Sequence, residues 1–215
     1  MIQTRDLIEA LVADARPVRR LRPPVVRAAA WLVLPALIFG LLVLAHGVRP
    51  DLAQRLHQPA FVLAISASLM TGALAAIASF MLDLPDRSRR WTLLPAPTLL
   101  LWLATLGHSC LTNWIDIGPD GMQLAEAARC FATVLITSLP LSLAMFAMLR
   151  HGAPLRGGTV ALTASLAVAA MSATAMSLFH SLDASAMILM WNLGTAAVIV
   201  SLGSSLSRRL VASRF

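Results

Sequence analysis

The chain alternates long apolar stretches with short polar ones. Six runs stand out: 28–46, 61–82, 91–107, 125–149, 159–179 and 184–206. A helix that crosses the hydrocarbon core needs roughly 20 apolar residues, and each run is close to that length. The pattern predicts an all-α, polytopic membrane protein. Its transmembrane domain is a six-helix bundle over 28–207, with a segment 1–27 before it and a short basic tail, 208–215, after it. Pro95 and Pro97 stand near the start of the third run, so its first turn is expected to be irregular. Pro140 lies in the middle of the fourth, where a kink is expected. The fifth run, "TVALTASLAVAAMSATAMSLF", is rich in Ala, Ser and Thr. Small residues let helices approach closely in lipid, so this run is placed inside the bundle.

The polar segments set the orientation. With both termini in the cytoplasm, only Arg49, Arg55 and Arg129 of the 17 basic residues fall outside, and there is no Lys. Cytoplasmic loops of membrane proteins carry such an excess of positive charge. The net charge of +7 is therefore read as loop arginine rather than as a nucleic-acid surface. Composition agrees: 58% of the residues are hydrophobic and 13% are charged. Soluble domains carry about a quarter charged residues. The first apolar run is too long for a signal-peptide core and has no small-residue cleavage site behind it, so it is expected to be a span. The localisation expected is a bacterial inner membrane.

Ahead of the first run stands "LIEALVADARPVRRLRPPVVR". Leu7, Ile8, Leu11 and Val12 recur on one helical face, with Asp6, Glu9 and Asp14 away from it. Thr4 can serve as N-cap, and Pro17 ends the helix. A helix this short is only marginally stable alone in water, so its apolar face needs a cover. Three covers are open: the bilayer surface, the protein's own bundle, or a soluble partner gripping the helix in a groove. The acidic polar face is unlike that of most interfacial helices, which are basic.

The outer half collects the residues able to meet a signal. His108 and Cys110 end the third run, Cys130 lies about one turn into the fourth, and His180 and Asp183 form the turn between the fifth and sixth. Thiolates and imidazoles bind soft and borderline metals, and thiols oxidise. A transient heavy-metal ion or an oxidant is thus a candidate ligand. The structural reading stands beside it. A free Cys is an ordinary small buried hydrophobe, and Asp183 before an apolar run is an ordinary N-cap. Two cysteines without a short spacing exclude a disulfide-rich scaffold and a CxxC site.

The central parts of all six runs lack Asp, Glu, Lys and Arg. Ion-coupled transporters place such residues in their spans, so that class is disfavoured; a small-solute or metal channel remains the alternative. No GxSxG, HExxH or phosphate-binding glycine loop occurs, so no enzyme is expected.

The chain resembles the NrsF family of membrane anti-sigma factors. The resemblance rests on "TRDLIEALVADARPVRRLRPP", on "RCFATVLITSLPLSLAMFAMLRHGAPLRGG" and on "HSLDASAMILMWNLGTAAVIVSLGSSLSRRL". Cys130, Pro140, Leu149, Arg150 and Pro154 follow the family pattern. Where the family tends to read Cys-Pro-x-Asp, this chain reads His180-Ser-Leu-Asp183, and Asn192 replaces a histidine after the Trp. The resemblance implies a six-span inner-membrane protein that holds an extracytoplasmic-function sigma factor, with no direct contact to nucleic acid. It implies release by a heavy metal or oxidant sensed at two cysteines. Here that pair is broken, leaving Cys130 with His180, Asp183 or Cys110.

Overall fold

The computed structural model describes residues 4, 9, 12, 13, 22–113, 124–150 and 157–179, with the backbone alone at 46, 108–113 and 124–131. All of its long elements are helices, and the described residues contain no strand. They are α1 (Pro24–His46), α2 (Pro59–Leu82), α3 (Ala96–Asn113), α4 (Leu124–Leu149) and α5 (Gly157–Phe179). A one-turn helix, Leu52–Arg55, lies between α1 and α2, and a 3-10 helix, Arg89–Leu93, precedes α3. In α1, α2, α4 and α5 the apolar stretch is long enough to cross a membrane. The sixth expected run, 184–206, and the tail lie outside the described residues.

Proline sets where these helices begin. α1 opens on Pro24 and α2 on Pro59, at first-turn positions where the missing N–H costs nothing. α1 therefore starts ahead of the expected 28, and Arg27 belongs to its first turn rather than to the segment 1–27 ahead of the bundle. The third expected run shifts the other way, and its helix is not among those four. Residues 89–93 form the 3-10 helix, and the α-helix begins only at Ala96, with Pro97 in its first turn, and continues to Asn113. Gly47 closes α1 with φ +72°, a left-handed conformation suited to glycine, and its N–H donates to the Val43 carbonyl at 2.9 Å. α4 runs as one helix through Pro140. Beside it, the Trp31 indole N–H of α1 donates to the Leu141 carbonyl at 3.2 Å.

α2 and α5 form the central pair. α3 flanks α2, α4 flanks α5, and α1 lies across α2, α4 and α5. Small residues make the central contact close: Ala75, Ala76, Ala167 and Ala170 are fully buried. A methyl placed on Gly72 would sit 2.9 Å from Cε of Met171 and 3.3 Å from the Ala167 carbonyl oxygen. Ser68 and Thr174 share a hydrogen bond of 2.9 Å across the seam. Such hydroxyl pairs satisfy polar groups away from water. The expectation that the fifth run lies inside is met: 61% of its apolar window is buried, against 22% for α1 and for α4.

The larger side chains cluster where α1, α4 and the central pair meet, around Trp31, Phe80, Leu141, Met145 and Met171. A second cluster ties α3 to the pair through Trp102, Leu106, Ala67, Ala170 and Ala173. The outer faces are apolar too. Val33, Leu37, Leu41 and Leu44 on α1, and Leu139, Leu143 and Phe146 on α4, are exposed at helical spacing. Apolar stripes of that length fit lipid rather than water.

Candidate functional site

Charge enters the bundle at its two ends, and at each end an arginine is the centre. Arg27 stands in the first turn of α1 and is 7% exposed. Its Nη1 donates to Oδ2 of Asp83 at 2.9 Å, just past the end of α2. Its Nη2 donates to the carbonyl of Met148 near the end of α4. Its guanidinium carbon lies 4.9 Å from the centre of the Phe80 ring, a cation–π contact. One side chain thus joins the start of α1 to the ends of α2 and α4. The planar, always-charged guanidinium suits this work, because it presents several donors in one rigid fork.

Asp83 is completely buried, and its Oδ1 has no hydrogen-bond partner among the described residues. Burial pushes its carboxyl above the ordinary range, while the hydrogen bond and charge of Arg27 pull the other way. The chain leaving Pro23 toward the N-terminus therefore departs from a fixed point, the Arg27 clamp.

At the opposite end Arg49 is also buried, at 4% exposure. It holds Asp51 in a fork, Nε to Oδ1 at 2.7 Å and Nη2 to Oδ2 at 2.8 Å. Its Nη1 donates to the Ser177 carbonyl at 3.4 Å, and its backbone N–H donates to the Leu178 carbonyl at 3.3 Å. These carbonyls belong to the last turn of α5, where the helix has no internal donors left. Phe61 of α2 lies 5.7 Å below the guanidinium. Arg55 reaches the same carboxylate at 3.3 Å. The hydrogen bond from Arg49 is the main reason the Asp51 carboxyl is lowered to about 2.

The described arginines follow this polarity. Arg22, Arg27, Arg87, Arg89, Arg90 and Arg150 lie at the Arg27 end, and Arg49 and Arg55 at the other.

Of the expected partner-gripping residues, Val12 is described: it is helical and 69% exposed. Thr4, Glu9 and Ala13 are helical as well. Thr4 is therefore itself helical rather than a non-helical cap. Leu7, Ile8 and Leu11 lie outside the described residues. Among the expected sensing residues, Cys110 falls in α3 and Cys130 in the opening turns of α4, with their side chains outside what is described. His180 and Asp183 lie outside the described residues. No three His, Cys, Asp or Glu side chains gather as a metal site among the described residues.

Sequence reasoning missed both clamps, though a signal for each was present. Arg27 directly precedes the first apolar run, and Asp83 directly follows the second. An up-and-down course brings those two positions to the same end of the bundle. Arg49 and Asp51 sit two residues apart in a loop, too local a pairing to distinguish from solvated charges.

No curated protein and no solved structure matches the chain. A family profile described as NrsF, negative regulator of sigma F, matches residues 11–212, which takes in both clamps and α1 to α5. The chain belongs to the NrsF family, the negative regulators of sigma F.

Proposed function

We propose that this protein is an anti-sigma factor that holds an extracytoplasmic-function sigma factor at the bacterial inner membrane. The family match across residues 11–212 carries the reading. In it, both termini face the cytoplasm, so the Arg27 end is the cytoplasmic end, as the arginine distribution suggests. The N-terminal helix grips the sigma factor with Leu7, Ile8, Leu11 and Val12. The exposure of Val12 supports this, since a gripping residue must be open to a partner. The Arg27 clamp gives that helix a fixed mooring on the bundle. Release follows an envelope signal, a heavy-metal ion or an oxidant, met by Cys130 with His180, Asp183 or Cys110 at the Arg49 end. Catalysis has no part in this function, and the protein does not touch nucleic acid itself.

The test is Leu11→Asp in the full-length protein. A carboxylate in an apolar groove is costly to bury. Capture of the sigma factor falls at least tenfold while membrane insertion is unchanged. Capture at the wild-type level would contradict the proposed grip, and so would a loss of insertion that accounts for the whole effect.

A further inference from the structure

The 3-10 helix and the starts of α3 and α5 enclose an open groove of about 330 Å³. Leu99 lines one wall and Leu162 and Leu166 the other, with Thr92, Thr159 and Thr163 also in a mostly apolar lining. The size falls within the roughly 300–1,000 Å³ of small-molecule sites. Its surroundings are apolar and exposed: Leu93, Leu100 and Leu162 are 66%, 68% and 52% exposed. The groove therefore opens on a surface that fits lipid.

Its mouth is basic. Thr92 belongs to the 3-10 helix Arg89–Leu93, and its Oγ1 donates to the Arg89 carbonyl at 2.7 Å. Residues three apart in a 3-10 helix share one edge. Arg89 thus stands one turn beyond Thr92, on the edge that meets the groove. Arg89 and Arg90 are exposed, and among the described residues no carboxylate pairs with either. A mostly apolar slot beside an exposed arginine has the chemistry of an anionic phospholipid's seat, with room for one acyl chain and a partner for the phosphate.

We infer that the groove between α3 and α5 is a binding site for one anionic phospholipid, its acyl chain between Leu99 and Leu162 and its phosphate at Arg89. A basic pocket between transmembrane helices is a recurrent seat for anionic headgroups. The site is independent of the anti-sigma reading, because it needs no partner and neither orientation of the bundle.

Native mass spectrometry of the full-length protein, released from vesicles of equal phosphatidylglycerol and phosphatidylethanolamine, tests it. The wild type retains one phosphatidylglycerol in preference to phosphatidylethanolamine. Arg89→Gln lowers that preference by about fivefold, the effect of one arginine near a membrane surface. Leu162→Trp fills the slot and removes the retained lipid, while the helical circular dichroism of both variants stays that of the wild type. Equal retention of the two lipids would overturn the proposal, as would wild-type retention in both variants. So would efficient cross-linking of Leu162→Cys to a cysteine placed in 184–206, because the chain's own sixth run would then occupy the groove.

Discussion

The two arginine clamps use the same three parts, a guanidinium, a carboxylate and a phenylalanine ring, yet they hold different things. Arg27 and Asp83 are 56 residues apart in sequence, both are buried, and their contact joins separate helices. Arg49 and Asp51 are two residues apart, and Asp51 remains 37% exposed. Their contact shapes a loop, which then lies over the end of α5. The carboxylates answer oppositely. Burial raises Asp83, whereas Arg49 holds Asp51 down. The lesson is that an ion pair's surroundings, not its partners, decide what its loss costs. A buried pair need not add net stability over apolar residues, but removing one partner strands the other in a place without water.

That contrast can be broken in stages. Asp83→Ala leaves Arg27 buried with a carbonyl as its remaining described acceptor, and is expected to destabilise the bundle by about 3–5 kcal/mol. Unfolding in a detergent titration measures this. Arg27→Met with Asp83→Leu should cost clearly less than the sum of the single changes, because no charge is then stranded. An additive result would mean that the two residues act separately.

Between the clamps, Gly72→Val pushes a methyl group into Met171 and the Ala167 carbonyl. Overpacking of this kind costs about 1–3 kcal/mol, visible in the same titration. Arg49→Ala uncovers the last carbonyls of α5 and leaves Asp51 to Arg55, for a loss of about 1–2 kcal/mol. A loss as large as that of Asp83→Ala would erase the distinction between the ends.

The smallest effect is that of pH. Because the folded Asp51 pKa of about 2 lies below its ordinary value of 3.8, the Arg49 clamp contributes fully above that ordinary value. Its contribution fades as pH falls through about 2. The exposure of Asp51 keeps the change small. Loop proteolysis between Arg49 and Gln58, compared from pH 5 to pH 2 with an acid-active protease, should show protection in the wild type that Asp51→Asn lacks at pH 5.

Much of this architecture was legible in the sequence. Run length and charge content marked the apolar helices, and the Ala, Ser and Thr content of 159–179 placed that helix at the centre, because side-chain size governs how near two helices can come. Less legible were the helix starts. Pro24 and Pro59 at first-turn positions extend α1 and α2 beyond their apolar runs, whereas the 89–93 stretch takes a 3-10 helix that delays α3. Burial of Arg27 follows from the first of these shifts. The clamps were hidden for a related reason. A pair such as Arg27 and Asp83 has no spacing signature, since it exists only once three helix ends meet. The groove at Leu99 and Leu162 was equally silent, being made by helices far apart in the chain. The proposed gripping residues were read from periodicity alone, and of them the exposed, helical Val12 is the one described.

The central claim is that the N-terminal helix, moored at Arg27, holds a sigma factor. A version lacking residues 1–22 keeps Pro23, Pro24 and the whole Arg27 clamp. Pull-down from membranes with the full-length and shortened proteins is therefore the most direct test. The account predicts that a sigma factor accompanies the full-length protein and is absent from the shortened one, with equal amounts of both in the membrane. Recovery of the sigma factor with both, or with neither, would contradict it.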